Sequence, residues 1–263
     1  MNTGLQGKVV LITGGSRGIG RATALMLAAE GARLALCSRD EVQLKHTADE
    51  IRSRTHADVI AVKSNMTKLN DIRRFVNAAV KKFSKIDILV NNAGGAHIGG
   101  ILNTTDEEWE YHIQLKLLGY IRMAREVIPY MKQNGGGRII NIVGMAAREP
   151  SPLMMVSGVT HAALLNFSKS LSKELETERI LVNSINPTTT DTSLTQETTT
   201  KVAAIREQTP EDAMQAIIRS MPQGRIAATE DIARVVVFLA SEAANFINGI
   251  SLNVDSGRSS SPC

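Results

Sequence analysis

A chain of 263 residues, 43% hydrophobic and 21% charged, is long enough for one large α/β domain or two small ones and falls outside disordered and collagen-like compositions. Aromatic residues make up only 3%, so the core must be aliphatic, and a base-stacking nucleic-acid platform is excluded. The net charge of +4 comes from basic residues spread along the chain, which suits a small anionic ligand and not a nucleic acid.

Short apolar runs recur in order: KVVLIT (8–13), RLALCS (33–38), DVIAVK (58–63), IDILVN (86–91), RIINIV (138–143), ILVNSI (180–185) and ISLNV (250–254). They lack polar alternation and read as strands apolar on both faces. Helix-length segments such as RATALMLAAEG (21–31) and DIRRFVNAAVKKF (71–83) separate them. This alternation predicts a Rossmann-type, doubly wound α/β fold: a parallel sheet of seven strands with helices on both faces. TDEE (105–108) is a capping box, with Thr105 as cap and Glu108 reaching back. TPED (209–212) sets a cap residue before Pro210 at the first helical position.

No composition shift marks a second domain, so residues 1–263 are expected to form one. The threonine-rich run NPTTTDTSLTQETTTK (186–201) reads as a long loop leading into a helical insert that ends near Met221. Together they predict a mobile lid over about 188–221. Cys37 lies in an apolar strand and Cys263 at the last position, which makes neither a disulfide framework nor a metal site. The apolar run near the start is too short for a signal peptide, and no stretch approaches membrane-spanning length. A cytoplasmic protein without a membrane partner is expected.

Directly after the first strand comes TGGSRGIG (13–20), then a helix. In that setting glycines serve a dinucleotide. Gly14 permits a sharp exit from the strand, and Gly18 and Gly20 remove Cβ atoms where backbone meets pyrophosphate and helix meets sheet. The free N–H groups at the helix start favour a phosphate. Thr13, Gly14, Ser16, Arg17, Gly18, Ile19 and Gly20 are therefore expected to hold it. The second strand ends in Ser38 and Arg39, where an NAD-preferring fold usually carries an acidic side chain. Arg39 and Arg17 suit a 2′-phosphate through bidentate bonds, so NADP(H) is expected over NAD(H). Asp40 stands beside Arg39 and could partly offset it.

Together with NNAG (91–94), NP (186–187) and the closing GISLNVDSG (249–257), these features resemble the short-chain dehydrogenase/reductase family from about Leu5 to Gly257. The resemblance implies a nicotinamide cofactor, a small-molecule substrate and a homotetramer or dimer. It places Asn65 and Met66 near the adenine and Asn91, Ala93 and Gly94 along a ribose. Pro187, Thr190 and Thr192 then line the nicotinamide end, where Thr188 stands in place of the family's usual glycine.

The same resemblance implies an asparagine–serine–tyrosine–lysine tetrad, and all four positions differ here. Aligned by the flanking motifs, they are Lys116, Gly144, Ser157 and His161. None of Tyr111, Tyr120 and Tyr130 aligns with the missing tyrosine. A phenol has a reference pKa near 10, which an adjacent ammonium lowers; an aliphatic hydroxyl has no such acidity, so Ser157 cannot replace it. Gly144 has no hydroxyl to polarise a carbonyl. His161 titrates near neutrality in water and could act as acid or base, or merely hydrogen-bond a ribose hydroxyl or Ser157. Ordinary alcohol–carbonyl redox is expected to be absent, weak or altered. Two alternatives stay open: acid/base chemistry of isomerase or lyase type using Lys116, His161 and His97, or a nucleotide-binding module without catalysis. A serine hydrolase is disfavoured, because no nucleophile elbow surrounds Ser157.

Overall fold

Val9, Val10, Leu11 and Ile12 are all fully buried although successive strand side chains point to opposite faces. A strand of this kind is stable only with helices covering both sides. The computed structural model, which describes residues 3–260, shows that arrangement. Its strands are β1 (Val9–Thr13), β2 (Arg33–Ser38), β3 (Val59–Lys63), β4 (Ile88–Asn91), β5 (Gly137–Ile142), β6 (Ile180–Pro187) and β7 (Ser251–Val254). They form one parallel sheet in the order β3-β2-β1-β4-β5-β6-β7. The seven expected strands are thus all present, each shifted at its ends by two residues or fewer.

One face carries α1 (Gly18–Ala29), α2 (Glu41–Thr55) and α9 (Thr229–Ala240), whose Leu27, Leu44 and Val236 pack with Val10 and Ile12. The other carries α3 (Leu69–Phe83), α5 (Gly119–Gln133) and α6 (Met155–Glu174), whose Phe75, Val127 and Leu171 pack with Val9 and Leu11. Between β4 and α5 lie α4 (Asp106–His112) and a π-helical turn, Ile113–Leu118. The capping box at Thr105 and Glu108 forms as expected, and Thr209 caps α8 (Pro210–Arg219) with Pro210 in its first turn.

The threonine-rich run departs from expectation. It is not a loop: α7 (Ser193–Ile205) runs through most of it. Thr192 caps this helix, accepting from the Thr195 N–H at 3.2 Å. The Thr198 and Thr200 hydroxyls donate to the carbonyls of Leu194 and Gln196, four residues back, at 2.9 and 3.0 Å. Threonine is a weak helix former, partly because its hydroxyl competes for backbone groups; here that hydroxyl bonds within the helix.

Cys37 is buried in β2 with its thiol pushed up to about 12 by burial, whereas Cys263 lies outside the described residues. Among the described residues, no helix is long and apolar enough to cross a membrane. The chain leaves β1 toward β2 and β3, then returns to β4 on the other side of β1. That reversal opens a crevice at the carboxyl ends of β1 and β4, where α/β sheets bind ligands.

Candidate active site

The glycine loop is built by mutual close approach. A Cβ on Gly14, which has φ +69°, would lie 2.9 Å from the Ala93 Cα, so the loop after β4 sits directly on the loop after β1. Thr13 Oγ1 accepts the N–H groups of Asn92 and Ala93 at 3.0 Å each, and Asn92 Nδ2 donates to the carbonyls of Thr13 and Gly14 at 3.0 and 3.1 Å. Asn92 is thus a clamp that sequence reasoning missed, although it stands inside the NNAG motif. A Cβ on Gly20 would strike the Gly14 carbonyl oxygen, which excludes any larger residue. Arg17 begins α1 without a side-chain cap, so the first helical N–H groups face the crevice free of competition from their own sequence. That cradle fits a pyrophosphate.

The other expected cofactor residues divide. Ser16 donates to Ser38 at 2.9 Å, and Ile19 packs on the α1 core. The Asp40 carboxylate caps α2, accepting from Gln43 N–H at 3.0 Å. Arg39 donates to the Tyr111 hydroxyl at 2.6 Å. Asn65 Oδ1 accepts from the backbone and hydroxyl of Thr67, and the Met66 side chain is buried in the core below the sheet. The Asn91 side chain is turned into the sheet. It is fully buried and donates to Asn141 Oδ1 at 3.0 Å, and Asn141 donates in turn to Ser168 at 2.8 Å. Beyond Pro187, Thr190 donates to the Thr188 carbonyl at 2.9 Å, and the Thr192 methyl lies 3.2 Å from where a Gly18 Cβ would stand. Arg17 Nη1 lies 4.0 Å from Glu197 Oε1 of α7.

At the carboxyl end of β5 the structure brings Lys116, Gly144, Ser157 and His161 together. Gly144 has φ +130° and ψ 154°, a conformation essentially reserved for glycine. A Cβ there would lie 2.9 Å from His161 Cε1 and 3.1 Å from Nδ1. The imidazole therefore fills the space that any side chain at 144 would need. Burial, then the nearby Lys116, push the His161 pKa down to about 3, and the Gly144 backbone opposes the shift only in part. Ser157 Oγ and His161 Nδ1 are both buried without a hydrogen-bond partner, so the two residues share a helix face but do not bond.

Lys116 is turned inward by the π turn, which buries both Leu115 and Lys116. Its Nζ donates to the Ile142 carbonyl at 2.7 Å and to the Tyr120 hydroxyl at 3.0 Å, and burial brings its pKa down to about 7. Tyr120 is the one tyrosine beside this cation. Its hydroxyl donates to the same Ile142 carbonyl at 3.0 Å, and burial pushes its pKa well above 10. It is part of the core beneath the crevice, not an acid in it.

His97 belongs to a separate group. Its Nε2 lies 3.0 Å from Thr104 Oγ1 and its Nδ1 3.5 Å from Glu108 Oε1. The His112 ring, 6.0 Å away and edge-on, links it toward the cleft. Burial, then His97, push the His112 pKa down against the pull of Glu108. His112 stands four residues before Lys116, a spacing that could have flagged it.

A family model described as short chain dehydrogenase matches residues 8–203. The chain belongs to the short-chain dehydrogenase family. It is 30% identical over 253 residues to a 3-oxoacyl-[acyl-carrier-protein] reductase of Thermotoga maritima, covering 96% of this chain and 98% of that one. Identity to the 3-oxoacyl-[acyl-carrier-protein] reductase of Escherichia coli is 32%, covering 96% and 97%. Among solved structures, L-sorbose reductase of Gluconobacter frateurii, complexed with NADPH and L-sorbose, matches with a TM-score of 0.94 at 32% identity over the whole of both chains. The 3-ketoacyl-(acyl-carrier-protein) reductase of Brucella melitensis, complexed with NADH, matches at 0.85 and 30%, covering 97% and 99%.

Proposed function

We propose that this short-chain dehydrogenase binds NADP(H) at the glycine loop, and that ordinary alcohol–carbonyl turnover is absent or very slow. When bound, the nicotinamide would supply hydride chemistry. The observation that carries the reading is His161 seated against Gly144. The positions expected to hold an ammonium and a hydroxyl instead hold a neutral, buried imidazole and a bare backbone, with Ser157 in place of the phenol. The intact cradle supports nucleotide binding. Ser38 and Arg39, with Asp40 turned away to α2, support preference for the 2′-phosphate.

A second reading, proton transfer by Lys116 and His161, draws on a Lys116 amine that titrates near neutral pH. It is weakened by His97, which sits in another group, and by the Lys116 Nζ bonds to Ile142 and Tyr120. Residues 188–221 act as a lid in this proposal, supported by Thr192 over Gly18 and Glu197 at Arg17. Assembly into a dimer or tetramer is also proposed, supported by the open edge strand β7, which exposes Leu252, and by exposed Phe246 in the segment before it.

The test is titration with NADPH and NADH, followed by energy transfer from Trp109, together with a panel of carbonyls and alcohols. NADPH should bind the more tightly, with no turnover at ordinary dehydrogenase rates. Failure of both nucleotides to bind at about millimolar concentration, a free energy of only about −4 kcal/mol, removes the cofactor reading. Ordinary turnover that is lost on Ser157→Ala or His161→Ala removes the reading of the substitutions.

A further inference from the structure

Arg39 is exposed at the end of β2, and an exposed arginine ordinarily samples many rotamers. Here its Nη1 is held by a hydroxyl 72 residues further along the chain, at 2.6 Å. The holder, Tyr111, is itself fixed. Its ring stands perpendicular to His112 at 5.3 Å, and His112 meets His97 edge-on at 6.0 Å. His97 in turn is tied to Thr104 at 3.0 Å. The capping box at the start of α4 fixes the helix that carries Tyr111 and His112. A continuous series of contacts thus runs from the crevice side of α4 to the arginine at the end of β2.

We propose that Tyr111 is a specificity-determining residue for the cofactor: it holds Arg39 in place for the 2′-phosphate of NADP(H). The proposal rests on the NADP(H) reading above. A guanidinium carries five N–H donors, and the bond to Tyr111 uses one on Nη1. The Nε and Nη2 edge stays free for two oxygens of one phosphate, the bidentate geometry arginine favours. Tyr111 accepts from Arg39 and does not spend its own O–H on that bond. The Asp40 Oδ1 accepts from the Gln43 N–H at the α2 cap, which orients that carboxylate toward α2. NADH has a hydroxyl at the 2′ position and gains little from a fixed cation, so the benefit falls on NADP(H) alone.

Calorimetric titration of the full chain, Tyr111→Phe and Arg39→Gln with NADPH and NADH separates the two ideas. Tyr111→Phe keeps the ring on His112 and should weaken NADPH about fivefold, leaving NADH unchanged. No change with either nucleotide, an equal change with both, or tighter NADPH binding overturns the role of Tyr111; tighter binding would show it holding Arg39 away. Arg39→Gln should collapse the preference for NADPH. If it does not, the NADP(H) reading fails whatever Tyr111→Phe does. If it does and Tyr111→Phe is silent, only the role of Tyr111 fails.

Discussion

Gly144 and His161 are sterically coupled across the crevice floor. At φ +130° the backbone of residue 144 suits glycine alone, and the imidazole occupies the space a Cβ would need. Gly144→Ser, which places there the serine the resemblance implies, should therefore destabilise the protein by about 2–4 kcal/mol, from backbone strain and overpacking together. Gly144→Ser combined with His161→Ala should recover the steric share, about 1–2 kcal/mol, and leave the strain. Urea unfolding of the two single variants and the double variant measures this; purely additive effects would show that the contact carries no energy. The sequence displays both residues at positions that the family resemblance implies for a serine and a lysine. Their contact was not legible, because it depends on where β5 ends relative to α6 and no periodicity encodes that. Asn91 is a similar case: its motif pointed to the cofactor, but the side chain turns into the sheet toward Asn141.

Among the elements, legibility followed burial. The strands are legible to within two residues because those inside the sheet, such as β1 and β4, are buried on both faces, so their hydrophobic runs end near where the sheet ends. The helix α7 escapes a periodicity reading because it has no apolar stripe; only Thr199 and Ala203 of its residues are buried. Thr192 is therefore the residue to remove. Thr192→Ala takes the acceptor from the Thr195 N–H and the methyl from Gly18. The loss of a cap costs about 1 kcal/mol. In a marginal surface helix that cost is concentrated locally. Limited proteolysis should cut Thr192→Ala faster within residues 193–205 than the parent, with the global unfolding midpoint moved little. Equal cleavage of both proteins would show that α7 is held by its packing on α8 and not by its cap.

For the molecule as a whole, two buried bases make stability depend on pH in a direction that can be worked out. His161 titrates near 6.5 when unfolded and at about 3 when folded. Lys116 titrates near 10.5 when unfolded and at about 7 when folded. In both cases the unfolded chain binds the extra proton, so stability rises with pH across each interval. It falls on acidification through 6.5 for His161, and between 10.5 and 7 for Lys116. Each interval contributes up to about 1.4 kcal/mol per pH unit, or about 2 kcal/mol between pH 9 and 7 and again between 6.5 and 5. Paired carboxylates such as Glu50 and Asp231, whose pKa values are lowered in the fold, add their own acid loss, so the comparison must be with variants. Against the parent, His161→Phe should flatten the urea-midpoint profile below pH 6.5 and leave it unchanged above. Lys116→Met should flatten the profile above pH 7 and, by removing the charge that helps hold the His161 pKa down, shorten the acid limb at its low-pH end. Profiles parallel to the parent's would mean that water reaches these groups and that neither is held neutral by burial. A crevice wet enough to do that would also be wet enough for proton exchange at Lys116, which would strengthen the acid/base reading over the redox-silent one.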